Sequence, residues 1–445
     1  MSGNNIHLYN NSIYRITAKR NITMKKIFIL SVLCALALAG CAEHDPSSSE
    51  VISETAPTTE EPTETERSEP YVHGDDGYFN LVEEGNQFNM RYQNEGTCWA
   101  FAGAAAMESA YYMRYKSAVE IDPLEIINAV YNNDKEEGYF LADGVRDKTA
   151  GGNMKIIGEA LSKGFGGLTV DNMDDLYSIK PDDLKEYIKK NGAVAVSVYD
   201  SSGNRGWYHD YYIMRNSDNK DTNHAVVIVG WDDHFPREYF IDPAQNDGAW
   251  ICYNSNIGSQ GYGYLSYETY FRDPVAFSVT DEYSDVLSYD CGTEIDFFLY
   301  YGEDDGVTLA NVFDKPGTLS AVGVSSLLPE ENITIEVYTD DFSKLLYSQD
   351  AFLEYSGYHT IKLDKPLEVD KYALAVRYTG PAPLESDSFG FKNTNDITFK
   401  SVIKKGQSYV LLGGKWKDLA DKDAKELLQT DFTPKNACIK ALYTN

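Results

Sequence analysis

The residues best placed for chemistry are a thiol, an imidazole and an amide. Cys98 stands in Tyr92-Gln93-Asn94-Glu95-Gly96-Thr97-Cys98-Trp99-Ala100-Phe101, between a glycine turn and a run of helix formers from Ala100 to Tyr115. The positive end of a helix dipole favours thiolate over thiol, so a cysteine at a helix start is reactive. A thiolate nucleophile needs an imidazole to move protons. Beyond the N-terminal region the chain offers His44, His73, His209, His224, His234 and His359. His224 opens the apolar run His224-Ala225-Val226-Val227-Ile228-Val229-Gly230-Trp231, where a rigid strand end can aim a ring into a cleft. His209 and His234 lie in polar, loop-like context. The imidazole in turn needs an orienter. Gly248-Ala249-Trp250-Ile251-Cys252-Tyr253 leads into Asn254, whose amide oxygen can accept the ring N–H; Asn254 reads equally as the first residue of the turn Asn254-Ser255-Asn256-Ile257-Gly258.

The elements that must position these groups follow from the flanking pattern. The run from Trp99 to Tyr115 predicts a largely buried helix. Asp122-Pro123 opens a second helix through Val130, with aspartate as N-cap and proline at the first helical position. Gly151-Gly152-Asn153 precedes a third helix from Met154 to Lys163. Asp182 or Asp183 caps a fourth through Lys190, which Asn191-Gly192 ends as a left-handed cap. The pattern then turns strand-like at 193–199, His224 to Trp231, Glu238 to Ile241, Ala249 to Tyr253 and Tyr262 to Ser266. A helical half followed by a β half is an α+β two-lobed body, and the cleft between lobes is a natural substrate site.

After about residue 280 helical signals nearly vanish. Val307 to Phe313, Leu319 to Val324, Ile333 to Tyr338, Tyr358 to Leu363 and Tyr372 to Tyr378 are short β-type runs at sandwich spacing, and Ala437 to Leu442 reads as a closing strand. Ile333, Ile335 and Val337 alternate with polar neighbours, as do Tyr372, Leu374 and Val376 with theirs. The chain thus divides into an N-terminal extension and signal (1–41), a tether (42–70), the two-lobed body (71–280) and an all-β domain (285–445). No internal repeat or wall-binding repeat array is visible.

Composition narrows the class. A formal net charge of −30 argues against a nucleic-acid partner, since phosphate binding needs a basic face. Met24-Lys25-Lys26 followed by the apolar run Ile27 to Leu38 is too short for a comfortable membrane span. It ends in Leu38-Ala39-Gly40-Cys41, which resembles a bacterial lipoprotein cleavage box; that resemblance makes Cys41 the lipidated first residue of the mature protein, with Met24 as a candidate start. Residues 43–70 carry nine acidic residues against one arginine, and with their Ser, Thr and Pro content they read as a disordered tether holding the folded part off the membrane. No helical inhibitory pro-segment is visible in the sequence before Cys98. The remaining cysteines, Cys98, Cys252, Cys291 and Cys438, are too few for a disulfide framework, and a single bridge among the last three stays open. Without a CxxC pair, no structural zinc is expected.

Cys98-Trp99 with His224 at 126 and Asn254 at 156 residues downstream matches the spacing of papain-like enzymes, Cys-Trp with His and Asn about 130–150 residues on. With Asn223-His224-Ala225-Val226, Asn254-Ser255 and Gly261-Tyr262-Gly263-Tyr264, the chain resembles a papain-family cysteine peptidase over about residues 78–275. The resemblance implies Cys98 as nucleophile, His224 as base and acid, and Asn254 as orienter. It implies Gln93 in the oxyanion hole and Gly151-Gly152 as the segment that meets substrate backbone. Three departures stand out. Gln93 lies five residues before Cys98, where the family spacing is six. Asn256 replaces the tryptophan that usually follows Asn-Ser, and Glu95 replaces a disulfide cysteine. A closer resemblance is to clostridial cell-surface cysteine peptidases, whose papain-like body precedes a lectin-like β-sandwich, here 285–445. Members of that group can carry calcium; Glu303-Asp304-Asp305 is the candidate position, and it reads also as a solvated loop. The resulting expectation is a lipid-anchored endopeptidase on the extracellular face of a bacterial membrane, needing no cofactor, with protein or peptide substrates and with wall or surface components as further partners. A catalytically inactive papain-like adhesin or binding lipoprotein is the alternative, and transamidation on the same fold a third reading.

Overall fold

The computed structural model describes residues 71–93, 96–130, 140–142, 151–201, 203, 205–208, 211–216, 221–241, 244–258, 262–290, 297–300, 306–386, 397–399, 402–428 and 433–445. Cys41, the tether, His209, Cys291 and Glu303-Asp304-Asp305 lie outside them.

Among the described residues, four helices carry the first lobe: α1 (Cys98–Tyr115), α2 (Pro123–Val130), α3 (Met154–Leu161) and α4 (Pro181–Asn191). Small residues explain why α1 is central. Ala100, Ala104, Ala105 and Ala106 are fully buried, and Gly103 meets Ile157 of α3 so closely that a Cβ would overlap it. Two details of α4 depart from expectation. Pro181 takes the first helical position, so Asp182 and Asp183 fall inside the first turn, and the N-cap Lys180 makes no side-chain cap bond. At the other end Gly192 has φ +107° with an extended ψ of −165°, a positive-φ stop but not a left-handed one.

The strands of this body are β1 (Tyr78–Asn80), β2 (Phe140–Ala142), β3 (Thr169–Asp175), β4 (Val194–Val198), β5 (Arg205–Tyr208), β6 (Tyr211–Met214), β7 (His224–Asp232), β8 (Ala249–Tyr253), β9 (Gly263–Ser266) and β10 (Phe271–Thr280). They pair in the order β5-β6-β9-β8-β7-β4-β10-β3, with β1 on the far half of β7, and do not close into a barrel among the described residues. β7 is buried along its whole length, which its unbroken apolar run requires. The segment Glu238 to Ile241, expected as a strand, instead holds a short 3-10 turn, Arg237–Tyr239. β3 and β10 escaped sequence reading because Thr-Val-Asp-Asn-Met-Asp-Asp and a proline-containing run lack a clean alternation.

The second domain holds β11 (Asp285–Leu287), β12 (Phe297–Tyr300), β13 (Val307–Ser326), β14 (Glu331–Thr339), β15 (Leu345–Leu353), β16 (Ser356–Tyr378), β17 (Ala382–Ser386), β18 (Ile397–Phe399), β19 (Ser408–Leu412), β20 (Lys415–Asp418), α5 (Ala424–Leu427), β21 (Pro434–Ala437) and β22 (Ile439–Thr444). The expected pairs of short runs merge into two long strands, β13 and β16. Asp314 to Gly317 passes through as a bulge rather than a turn, so each strand serves two sheet segments in succession. Ile333, Ile335 and Val337 face the core as their alternation implies. Tyr372 to Val376 is buried on both faces, which alternation alone does not show.

The two bodies share a sheet. β16 pairs with β3 from Ser356↔Asp175 to His359↔Asn172, and β18 pairs with β2. Tyr358 from the second domain is buried in the core of the first. No bridge joins Cys252 and Cys438, and burial pushes the Cys252 thiol far above its ordinary range.

Candidate active site

Cys98 is the first residue of α1 and is 3% exposed. Thr97 precedes the helix without a side-chain cap; its carbonyl accepts from Ala100 N–H at 2.9 Å and Phe101 N–H at 3.3 Å. The first-turn N–H groups of a helix have no partner within it and carry its positive pole, so the Cys98 amide and thiol share that field. Trp99 turns inward against Gly152, where a Cβ would stand 2.5 Å from the indole ring. Gly152 therefore has a packing reason beside the substrate role implied for it. Gly151, at φ +83°, supplies the bend before Asn153.

The chain leading into Cys98 is held by a residue that sequence reasoning passed over. Glu108, fully buried on α1, accepts from Asn89 N–H at 2.6 Å, Arg91 at 2.9 Å and Ile121 N–H at 2.8 Å. A lone carboxylate within an apolar helix was the available signal. A buried charge persists when it is paired and hydrogen-bonded. Tyr253 adds a second latch, its hydroxyl donating to the Arg91 carbonyl at 2.6 Å.

His224 stands first in β7, paired with Val198 and 5% exposed. Its Nε2 lies 2.9 Å from Asn254 Oδ1. The Asn256 backbone N–H also donates to that oxygen, at 2.9 Å, which fixes the amide with its oxygen toward the ring. An amide oxygen only accepts, so Nε2 carries the proton and Nδ1 remains for proton exchange with a thiol. Asn254 is fully buried, and its amide nitrogen meets Met214 Sδ at 3.5 Å.

Gln93 reaches the same place. Its backbone N–H donates to the Ser255 carbonyl at 3.0 Å, and its side-chain oxygen accepts from the Ser255 hydroxyl. This orientation leaves the Gln93 amide nitrogen as the donor end. The loop Asn254-Ser255-Asn256 thus ties together the strand bearing His224 and the segment leading to Cys98. Asn256, in the tryptophan position, places its Nδ2 3.4 Å from His224 Nε2 and 3.2 Å from Asp200 Oδ2. The other described imidazoles are elsewhere. His234 follows the far end of β7, His73 stacks on Tyr78, and His359 lies between the two domains. Among the described residues no group of His, Cys, Asp and Glu could hold a metal ion.

Comparison with known proteins bears on the fold that carries this arrangement. Residues 289–444 match the family model described as Lectin like domain. A "Cysteine protease" of Blomia tropicalis is 26% identical over 207 residues, 38% of this chain and 54% of that protein. "Peptidase 1" of Dermatophagoides pteronyssinus is 23% identical over 195 residues, with the same two shares. The chain therefore spans about half the length of the curated relatives it matches. The crystal structure of the cysteine protease and lectin-like domains of Cwp84, a surface layer associated protein of Clostridium difficile, superposes with a TM-score of 0.67 at 18% identity, covering 84% of this chain and 90% of that one. The same clostridial protease after propeptide cleavage gives 0.66 at 19% identity, covering 83% and 99%. The fold is a papain-like body followed by a lectin-like β domain, and the chain resembles clostridial cysteine peptidases built that way.

Proposed function

We propose that this protein is a surface-anchored cysteine endopeptidase. The Cys98 thiolate attacks a peptide carbonyl, and the oxyanion formed faces the Cys98 N–H and the Gln93 amide. Collapse breaks the C–N bond as His224 Nδ1 gives its proton to the leaving amine. Water, deprotonated by His224, then hydrolyses the thioester and returns the thiol. Asn254 keeps the ring in the productive tautomer throughout, and Gly151-Gly152 meets the substrate backbone. The reaction uses only thiol, imidazole and amide groups, so no cofactor is assigned. Lipidation at Cys41 would place the body on the outer face of the membrane, beside protein substrates of the cell surface.

The observation that carries this reading is the His224–Asn254 hydrogen bond, joined through Ser255 and Gln93 to a cysteine at a helix start. An epoxide or vinyl-sulfone probe for thiol peptidases tests it. Wild type labels and cleaves a peptide library, whereas Cys98→Ala does neither. Wild-type protein that fails to label and fails to cleave is the inactive adhesin or binding lipoprotein instead. Palmitate incorporation that Cys41→Ala abolishes tests the anchor.

A further inference from the structure

The His224–Asn254 pair has an unusual polar neighbour. Asp200, just after β4, has a side chain only 6% exposed. It forms an ion pair with Arg205 of β5 at 2.6 Å. The same carboxylate oxygen accepts from Asn256 Nδ2, and that amide nitrogen is the atom 3.4 Å from His224 Nε2. The Asp200 main chain is clasped to the residue before His224: its N–H donates to Asn223 Oδ1 at 2.7 Å, and Asn223 Nδ2 donates to its carbonyl at 2.9 Å. Its second carboxylate oxygen, Oδ1, is buried without a hydrogen-bond partner among the described residues.

We infer that the Asp200–Arg205 ion pair, acting across Asn256, tunes the stability of the His224 imidazolium. Asn256 is a spacer. A carboxylate only accepts, so Asp200 holds the Asn256 amide with its nitrogen inward, and the carboxylate cannot take the ring N–H away from Asn254. Asp200 therefore acts on the ring by its charge, through one buried amide, while Arg205 offsets that charge. Both are positioning residues, since neither touches substrate. The titratable groups gathered here are Asp200 after β4, Arg205 in β5 and Tyr212 in β6, with the Cys98 thiol as the ring's partner in the proposed mechanism. Burial, with the Asp200 charge, raises the Tyr212 phenol, so it stays neutral. That leaves the two opposed charges of the Asp–Arg pair beside Nε2, among the described residues.

This inference rests on the thiol-peptidase reading, because the imidazolium matters only as the partner of a Cys98 thiolate. The test is the pH dependence of Cys98 alkylation by iodoacetamide in the full chain, which needs no turnover. The pair of Cys98 thiolate and His224 imidazolium persists until the ring loses its proton, and that sets the alkaline limb. Asp200→Asn leaves Arg205 uncompensated, and its cation lowers the limb. Arg205→Gln leaves the carboxylate uncompensated and raises it. Each shift should be roughly half a pH unit or more for a charge this close in a partly buried site. The double variant should return toward wild type. A role confined to structure would change rates without moving the two limbs in opposite directions, and limbs that stay within error in Arg205→Gln overturn the inference. If Asp200→Asn fails to fold, Arg205→Gln decides alone, since Arg205 is 34% exposed on a hairpin. Opposed shifts without peptide cleavage would sink the peptidase reading and leave this one standing; cleavage with unmoved limbs would do the reverse.

Discussion

Ser255 holds Gln93 twice, by its carbonyl on the Gln93 N–H at 3.0 Å and by its hydroxyl on the Gln93 side-chain oxygen. The pair answers the question raised by the short spacing of five residues between Gln93 and Cys98. The amide is not delivered by loop length but seized by the loop that also bears Asn254. If the Gln93 nitrogen stabilises the oxyanion, Gln93→Ala should lower kcat about 10²-fold with little change in KM, as loss of one such donor does. Ser255→Ala should lower kcat by a smaller factor in the same manner, because the amide stays but loses its orientation. Steady-state kinetics on one peptide substrate checks both. Equal and large losses in KM would instead point to a collapsed cleft.

How far this was legible in the sequence depends on whether a position is set by local or long-range contacts. The positions of Cys98, His224 and Asn254 in the fold were readable because each stands at an element boundary marked by its own neighbours. The helix from Cys98 and the strand ending at Tyr253 sit where their patterns place them. The roles of Glu108, Ser255 and Asp200 were not readable, because each acts on residues brought close only by folding. Nor was the junction of the two bodies. β3 is too polar to look like a strand until β10 and β16 flank it, and its acidic side chains find partners on the helices: Arg114 for Asp171, Lys155 for Asp175 and Tyr187 for Asp174.

That junction depends on Gly357. It has φ +117°, and a Cβ there would overlap the Met173 carbonyl oxygen of β3. Any side chain thus meets both backbone strain and the neighbouring strand. Gly357→Ala should cost about 3 kcal/mol and uncouple the bodies. Calorimetry would then show two transitions where wild type shows closer to one. An unchanged single transition would mean that β16 and β3 do not pair as described.

Within the second domain, Lys440 and Asp290 form an ion pair with side chains 1% and 0% exposed. Burial alone would raise the Asp290 carboxyl, but the charges of Lys440 and Lys163 together override it and hold the group below its usual range. Removing Lys440 takes its hydrogen-bonded cation from the buried Asp290 carboxylate, so Lys440→Met should cost about 3 kcal/mol. Lys440→Met combined with Asp290→Leu should recover most of that loss, and urea denaturation of the three proteins measures it. Asp290 contributes fully above pH 3.8 and loses its contribution as pH falls below that value, so the double variant should also resist acid better than wild type.

His359 gives the interface between the bodies its own pH dependence. It is 7% exposed on β16; its Nε2 lies 2.9 Å from the Tyr355 carbonyl and its Nδ1 3.7 Å from Asp174. Burial depresses the imidazole below 6.5, and the nearby Asp174 carboxylate only partly offsets this. The folded state therefore binds a proton less readily than the unfolded chain. Stability is fully present above pH 6.5 and falls as pH drops from 6.5 toward the folded-state value. Burial acts on the Asp174 carboxyl in the opposite sense and raises it, but that effect operates from the lower starting value of 3.8. Wild-type Tm should consequently decline between pH 7.5 and 5.5. His359→Gln keeps a donor for the Tyr355 carbonyl and cannot titrate, so its decline over the same range should be shallower. Parallel curves for the two proteins would show that His359 is not the group responsible.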